Sequence, residues 1–150
     1  MKREDITTYN DRMRCYAAYA LVLGDNKPVP TSGLVGIMTD EFPKFTKNFN
    51  RDSLAQALSN TKDIFFRQPQ QSWGGAYVLA PRFYSFLAKQ IEKEAKPLLA
   101  KRLAEKGQKF TMRAAIMCFY ERQKARYTKP TLTSVFRQVR KSFSEQTGRE

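Results

Sequence analysis

The chain has 150 residues, 41% of them hydrophobic, and carries 27 Lys and Arg against 14 Asp and Glu, a formal net charge of +13. This apolar content excludes a disordered basic tail. So high a net charge costs self-repulsion, which favours a polyanionic partner, because each neutralised phosphate releases counterions; the alternative is a generally basic, soluble surface. Histidine is absent, which excludes His-based general bases, nucleophile–His pairs and Cys/His zinc sites.

The first part of the chain opens with two predicted helices. Apolar residues at three- and four-residue spacing predict a helix over residues 4–23, and the prolines at 28 and 30 favour an extended path after it. Thr31 and Ser32 are predicted to cap a second helix, which Pro43 stops. Residues 44–49 are then expected to form a connector.

A third helix and a hairpin are predicted next. Asn50 is a favoured N-cap, and Asp52 in the first turn complements the helix dipole. Residues 64–68 and 76–79 are two short β-prone runs, joined by a polar loop bounded by Pro and Gly. That pattern predicts a β-hairpin.

The order helix, extended piece, helix, helix and hairpin resembles that of winged-helix DNA-binding domains, and residues 1–82 carry the resemblance. In that superfamily the third helix usually enters the major groove, and the hairpin is a wing that contacts the DNA backbone or minor groove. The resemblance implies a winged helix-turn-helix with nucleic-acid contacts from Arg51, Ser53, Gln56 and Asn60 on the helix and from Arg67, Gln70, Gln71, Ser72 and Trp73 on the wing.

The chemistry of these side chains fits base recognition. Arg pairs bidentately with guanine, Gln and Asn pair with adenine, and Ser can bind base edges or phosphate. Trp73 could stack on a base, or it could fold back over the hairpin. Asp52 and Asp63 weaken such a site electrostatically, and winged helices also bind proteins, so a solvated helix face and an adaptor role stay open.

Residues 83–150 predict a basic helical region. Pro97 predicts a break at Lys96 between helices over 82–95 and 97–105. Thr111 is expected to cap a further helix that runs to about residue 126. Thr131 or Thr133 is predicted to cap the last helix.

Most of the positive charge lies in this second part. Residues 1–82 hold eleven bases and eight acids, whereas residues 83–150 hold sixteen bases and six acids. The bases are interleaved with Tyr120 and Tyr127. The side chains expected to contact phosphates are Arg113, Arg122, Lys124, Arg126, Lys129, Arg137, Arg140 and Lys141.

The last two helices allow two interpretations. They could form a helix-turn-helix unit in which the final helix reads bases with its outward residues. Alternatively, they could grip phosphates without reading sequence. The outward residues of the final helix are Ser134, Arg137, Gln138 and Lys141.

No catalytic chemistry is predicted. The acidic pairs at 40–41 and 92–94 lack the partners of a two-metal centre, and the glycines lack the lysine of a phosphate-binding loop. Cys15 and Cys118 lie far apart in apolar helical patterns, which favours free buried thiols in a reducing cytoplasm. We therefore expect no enzyme, no metal and no cofactor. No apolar run reaches the roughly 18–20 residues that span a bilayer, and no secretory signal is expected.

The sequence thus predicts a mainly α protein with a small β-hairpin, in which a winged-helix domain (1–82) packs with a basic helical region (83–150). The predicted function is duplex-DNA binding by a cytoplasmic transcriptional or replication regulator. One alternative is a structural subunit of a nucleoprotein complex that binds single-stranded DNA or RNA without sequence readout. Another is a protein-interaction adaptor. A homodimer or a protein partner stays open.

Overall fold

The computed structural model describes residues 3–68 and 75–147. The chain divides into two compact units, Met1–Ala80 and Pro81–Glu150. The described residues form seven helices and one three-stranded antiparallel sheet, which confirms a mainly α protein with a small β element. Among them, no helix combines the length and apolar character needed to cross a membrane.

The first unit contains four helices and the whole sheet. Its elements are α1 (Arg3–Leu23), β1 (Val29–Pro30), α2 (Thr31–Glu41), α3 (Pro43–Thr46), α4 (Arg51–Ser59), β2 (Phe65–Gln68) and β3 (Ala76–Leu79).

The sequence pattern predicts the cap of α4 correctly, but it assigns the wrong cap to α2 and misses α3. The Asn50 side chain accepts a hydrogen bond from the Ser53 N–H at 2.8 Å, which confirms the predicted cap of α4. The predicted side-chain cap of α2 is wrong, because Pro30 is the N-cap and makes no such bond. The predicted connector is also wrong in its first residues: Pro43 begins the short helix α3, since its fixed φ suits a first helical position.

The sheet has the order β1-β3-β2, so the segment between α1 and α2 adds a third strand to the hairpin. Val29 pairs with Tyr77, and across the hairpin Gln68 pairs with Ala76. Pro30 is tolerated in β1 because that strand lies at an edge of the sheet.

The core of the first unit is built around α1. Eight consecutive residues, 15–22, are buried, as expected for a helix that is surrounded on all sides. The ring of Tyr16 lies 5.1 Å from that of Phe42, centroid to centroid. Arg14 Nε donates to Thr61 Oγ1 at 2.7 Å and so connects α1 to the end of α4. The start of the hairpin is therefore anchored to the helical core.

The second unit contains α5 (Pro81–Lys106), α6 (Met112–Lys124) and α7 (Leu132–Thr147). The predicted break at Lys96 is wrong, because Pro97 lies inside the continuous helix α5. The buried stripe of α5 continues from Ile91 through Ala95 to Leu99, and this packing outweighs the backbone hydrogen bond that proline cannot donate.

The caps and the core of this unit follow familiar chemistry. Thr111 Oγ1 accepts from the Ala114 N–H at 3.1 Å, which confirms the predicted cap of α6. Thr131 and Ser134 cap α7 reciprocally: each side-chain oxygen accepts from the other residue's N–H, at 3.2 and 2.8 Å. Edge-to-face aromatic contacts pack the core of this unit. The Phe83 ring lies 5.9 Å from that of Phe136 and 5.4 Å from that of Phe143 in α7.

Candidate nucleic-acid interface

Helix α4 turns a polar face to solvent. Leu54, Ala57 and Leu58 bury its other face, which follows from their three- and four-residue spacing. The predicted contact residues are not equally accessible. Arg51, Gln56 and Asn60 are exposed, whereas Ser53 is half-buried at the edge of the face.

The exposed face of α4 also carries an acid. The Asp52 carboxylate lies 3.7 Å from Arg51 Nε, and the two side chains are 93% and 69% exposed. A carboxylate at the first turn stabilises the helix through its dipole, but it repels a nearby phosphate. Asp52 is therefore the feature of this face least suited to a polyanion.

The hairpin lies directly beside α4. Ser59 Oγ and the Tyr77 hydroxyl of β3 are hydrogen-bonded at 3.0 Å, and the Phe65 N–H of β2 donates to the carbonyl of Thr61 at 3.0 Å. Sequence reasoning did not assign Ser59 a role. Its spacing on the polar face of α4 was visible, but its partner in β3 was not.

The described part of the predicted wing is β2, Gly75 and β3. Arg67 is exposed on β2, and its neighbour Phe66 is 47% exposed, an apolar surface that the sequence pattern did not indicate. Gly75 has φ +72°, and a Cβ built there would lie 2.9 Å from both Arg67 Nε and Gln68 O. Arg67 thus lies against the backbone at the base of the hairpin loop. The predicted contact residues Gln70, Gln71, Ser72 and Trp73 lie outside the described residues.

The predicted bases of the second unit fall into two groups by exposure. Arg122 in α6 and Arg140 in α7 are half-buried. The exposed group is Arg113, Lys124, Arg126, Lys129, Arg137 and Lys141. Arg137 and Lys141 are four residues apart on one side of α7, whereas Arg126 and Lys129 lie in the turn before it.

Arg122 has a structural function. Its Nη2 donates to the carbonyl of Lys129 at 2.9 Å, so its guanidinium group bridges the turn that links α6 to α7. Its buried Nε makes no hydrogen bond. Lys124 is also engaged, since its Nζ lies 3.2 Å from the Glu121 carboxylate and 5.2 Å from the centre of the Tyr120 ring. These two bases are less available to an added anion than Arg126 or Lys129.

Further bases lie at the end of α5 and in the segment after it, where sequence reasoning assigned none. Lys101, Arg102, Lys106 and Lys109 are all exposed. The high density of bases in this segment is visible in the sequence, but the predicted contact residues do not include them. These four bases and the predicted set all lie in the second unit. Residues 81–150 hold seventeen bases and six acids.

Neither cysteine forms a disulfide, as predicted, but only Cys15 is buried; Cys118 is half-buried. Burial raises the pKa of the Cys118 thiol, while the positive charges of Arg122 and Arg102 act in the opposite direction. Over residues 3–68 and 75–147, the side chains of His, Cys, Asp and Glu form no group of three or more that could hold a metal ion.

Comparison of the chain with protein-family models, with curated proteins and with solved structures gives no match.

Proposed function

We propose that this protein is a non-enzymatic nucleic-acid-binding protein that binds duplex DNA through α4 and the adjoining hairpin, as a cytoplasmic transcriptional or replication regulator. The first unit would act as a winged helix, with α4 in the major groove and the hairpin as the wing. The observation that carries the proposal is that α4, which exposes Gln56 and Asn60, is joined to the hairpin by the hydrogen bond between Ser59 and Tyr77. Tyr77 is the strand partner of the exposed Arg67.

The chemistry of the exposed face supports base reading. The amide groups of Gln56 and Asn60 each offer a donor and an acceptor, the pair that adenine presents in the major groove, and Arg51 offers the fork that guanine accepts. Because the cap at Asn50 and the bond to Tyr77 fix both ends of α4, these groups are held in place before DNA arrives.

The second unit would supply affinity without sequence preference. Its exposed bases outnumber its acids, and Arg137 and Lys141 project from one side of α7. Lys and Arg that neutralise phosphates release counterions, and that contribution depends on salt and not on sequence.

The test begins with selection of preferred sequences from a random duplex pool, using the full chain. Affinity for a selected duplex and for a random one is then measured across salt concentrations. We expect a log–log salt slope of several units for both. A flat salt response would overturn the proposal.

Two sets of variants distinguish base recognition from phosphate contact. Gln56→Ala with Asn60→Ala should cost about 1–3 kcal/mol of discrimination per lost bidentate contact, with little change in the salt slope. Arg137→Ala with Arg140→Ala and Lys141→Ala should weaken all duplexes alike and lower the slope by roughly one unit per lost phosphate contact.

Gln108→Ala, which changes an exposed glutamine between α5 and α6, is the matched control and should leave discrimination unchanged. Loss of discrimination from the α7 variants alone would show that α7 reads bases and that α4 does not.

A further inference from the structure

Two tyrosines of the basic region have opposite environments. Tyr120 is only 4% exposed, and Lys124 lies over its ring. Tyr127, in the turn between α6 and α7, is 63% exposed and is one of two exposed large hydrophobic side chains in the described residues; the other is Phe66 in the first unit, at 47%. Of the two tyrosines, only Tyr127 is exposed to solvent.

Exposed basic residues flank Tyr127 in the sequence. Arg126 precedes it and Lys129 follows two residues later, and both are exposed. The nearest acid in sequence, Glu121, is paired with Lys124. An exposed aromatic residue with exposed cations close to it in sequence is a combination that suits single-stranded nucleic acid, since a base can stack on the ring while neighbouring phosphates contact the cations.

The turn is held in one conformation by hydrogen bonds at its base. The Tyr127 N–H donates to the carbonyl of Gln123 at 3.2 Å, and the Thr128 hydroxyl donates to the carbonyl of Ala125 at 2.9 Å. Arg122 closes the turn through its bond to the Lys129 carbonyl. A ligand would therefore lose little free energy in ordering the turn.

The backbone at this turn would suit glycine better than the residues present. Arg126 and Tyr127 have φ of +63° and +61°, two consecutive left-handed residues that carry side chains. Each such residue is strained relative to glycine, and strain of this kind clusters at functional sites. The turn keeps an Arg and a Tyr where their conformation is unfavourable, which points to a use for the side chains themselves.

We propose that the turn between α6 and α7 binds single-stranded nucleic acid, with Tyr127 stacked on one unpaired base and Arg126 and Lys129 against the adjacent phosphates. The proposal rests on the nucleic-acid-binding function proposed above, but not on α4. In a duplex both faces of each base are covered by its neighbours, so a stacking side chain favours unpaired bases. Every base has such a face, so the site tolerates any sequence.

The experiment measures binding of the full chain to labelled oligothymidylate, to oligouridylate of the same length, and to a duplex of that length. Tyr127→Ala should weaken oligothymidylate binding by about 5- to 150-fold, the equivalent of one lost stacking contact. Tyr127→Phe should bind like the wild type, because it keeps the ring. Duplex binding should stay unchanged in both variants.

Two further variants separate the site from general effects. Phe66→Ala removes the other exposed large aromatic side chain of the described residues and should leave single-strand binding unchanged. Tyr127→Gly relieves the left-handed strain, so its Tm should equal or exceed that of the wild type while single-strand binding is lost.

Wild-type affinity for oligothymidylate in Tyr127→Ala or in Tyr127→Gly would overturn the proposal. Comparison of oligouridylate with oligothymidylate shows whether the site prefers single-stranded RNA or single-stranded DNA. Binding to the duplex tests the proposed role of α4 separately from that of Tyr127. A chain that binds single strands through Tyr127 but binds no duplex would refute the role of α4 alone.

Discussion

The side chain of Asn26 and the backbone of Leu79 form a two-way hydrogen-bonded pair. Asn26 Nδ2 donates to the Leu79 carbonyl at 3.0 Å, and Asn26 Oδ1 accepts from the Leu79 N–H at 2.7 Å. Ala80 already bonds Ile64 across the hairpin, so the polar groups of Leu79 face the other side of β3. The amide of Asn26 thus continues the pairing that β1 makes with the same strand and holds the hairpin against the helices.

Removal of this amide should destabilise the first unit. Asn26 has φ +58°, so Asn26→Gly keeps the backbone conformation and removes only the two hydrogen bonds. Because Leu79 is buried, its unpaired N–H and carbonyl should cost about 2–5 kcal/mol in the free energy of unfolding, measured by urea denaturation. Asp25→Gly, at the neighbouring exposed residue with φ +57°, is the control and should not destabilise. Equal stability of the two variants would contradict the role of the pair.

Gly75, directly before β3, should not accept alanine. Its φ of +72° is left-handed, and a Cβ would lie 2.9 Å from the backbone oxygen of Gln68. Gly75→Ala should lower the free energy of unfolding by about 1–3 kcal/mol. The control is Gly36→Ala on the exposed side of α2, where a Cβ meets nothing within 4 Å; it should raise stability by about 0.5–1 kcal/mol. Effects of the same sign in both variants would refute this account.

Asp52→Asn should strengthen duplex binding if α4 approaches DNA. The change removes a 93% exposed negative charge from the face that carries Gln56. We expect affinity to rise about two- to fivefold at low salt, with a smaller gain as salt screens the repulsion. Asp40→Asn, an exposed acid in α2, makes the same change in net charge and should have a smaller effect. Weaker binding by Asp52→Asn would instead indicate that the carboxylate accepts a hydrogen bond from cytosine.

The buried phenol of Tyr19 should make the fold sensitive to alkali. Burial raises the pKa of Tyr19 well above its ordinary value, and the nearby Cys15 and Tyr16 raise it further. Above about pH 10 the unfolded chain loses this proton while the folded chain keeps it, so the stabilisation falls as pH rises, by up to about 1.4 kcal/mol per unit. Tyr19→Phe should therefore lose stability less steeply between about pH 10 and pH 11 in urea titrations. An unchanged slope would contradict the prediction.

Local signals in the sequence were sufficient for much of the secondary structure. Asn50 and Thr111 cap helices as predicted, because an N-cap depends on a side chain and an N–H only three residues away. The hairpin strands were also predicted, since a polar loop bounded by Pro and Gly between β-prone runs is a short-range pattern. The excess of bases in the second part of the chain is a property of the sequence itself.

Long-range packing decided what local signals could not. Pro97 was predicted to break a helix, yet the buried stripe of α5 keeps that helix continuous. Nothing near Pro30 in the sequence indicates that β1 pairs with a strand more than forty residues later. Tyr120 and Tyr127 looked alike among their basic neighbours, but one is buried and the other exposed. Burial depends on which elements meet in three dimensions, so only the tertiary structure could show which tyrosine is available to a ligand.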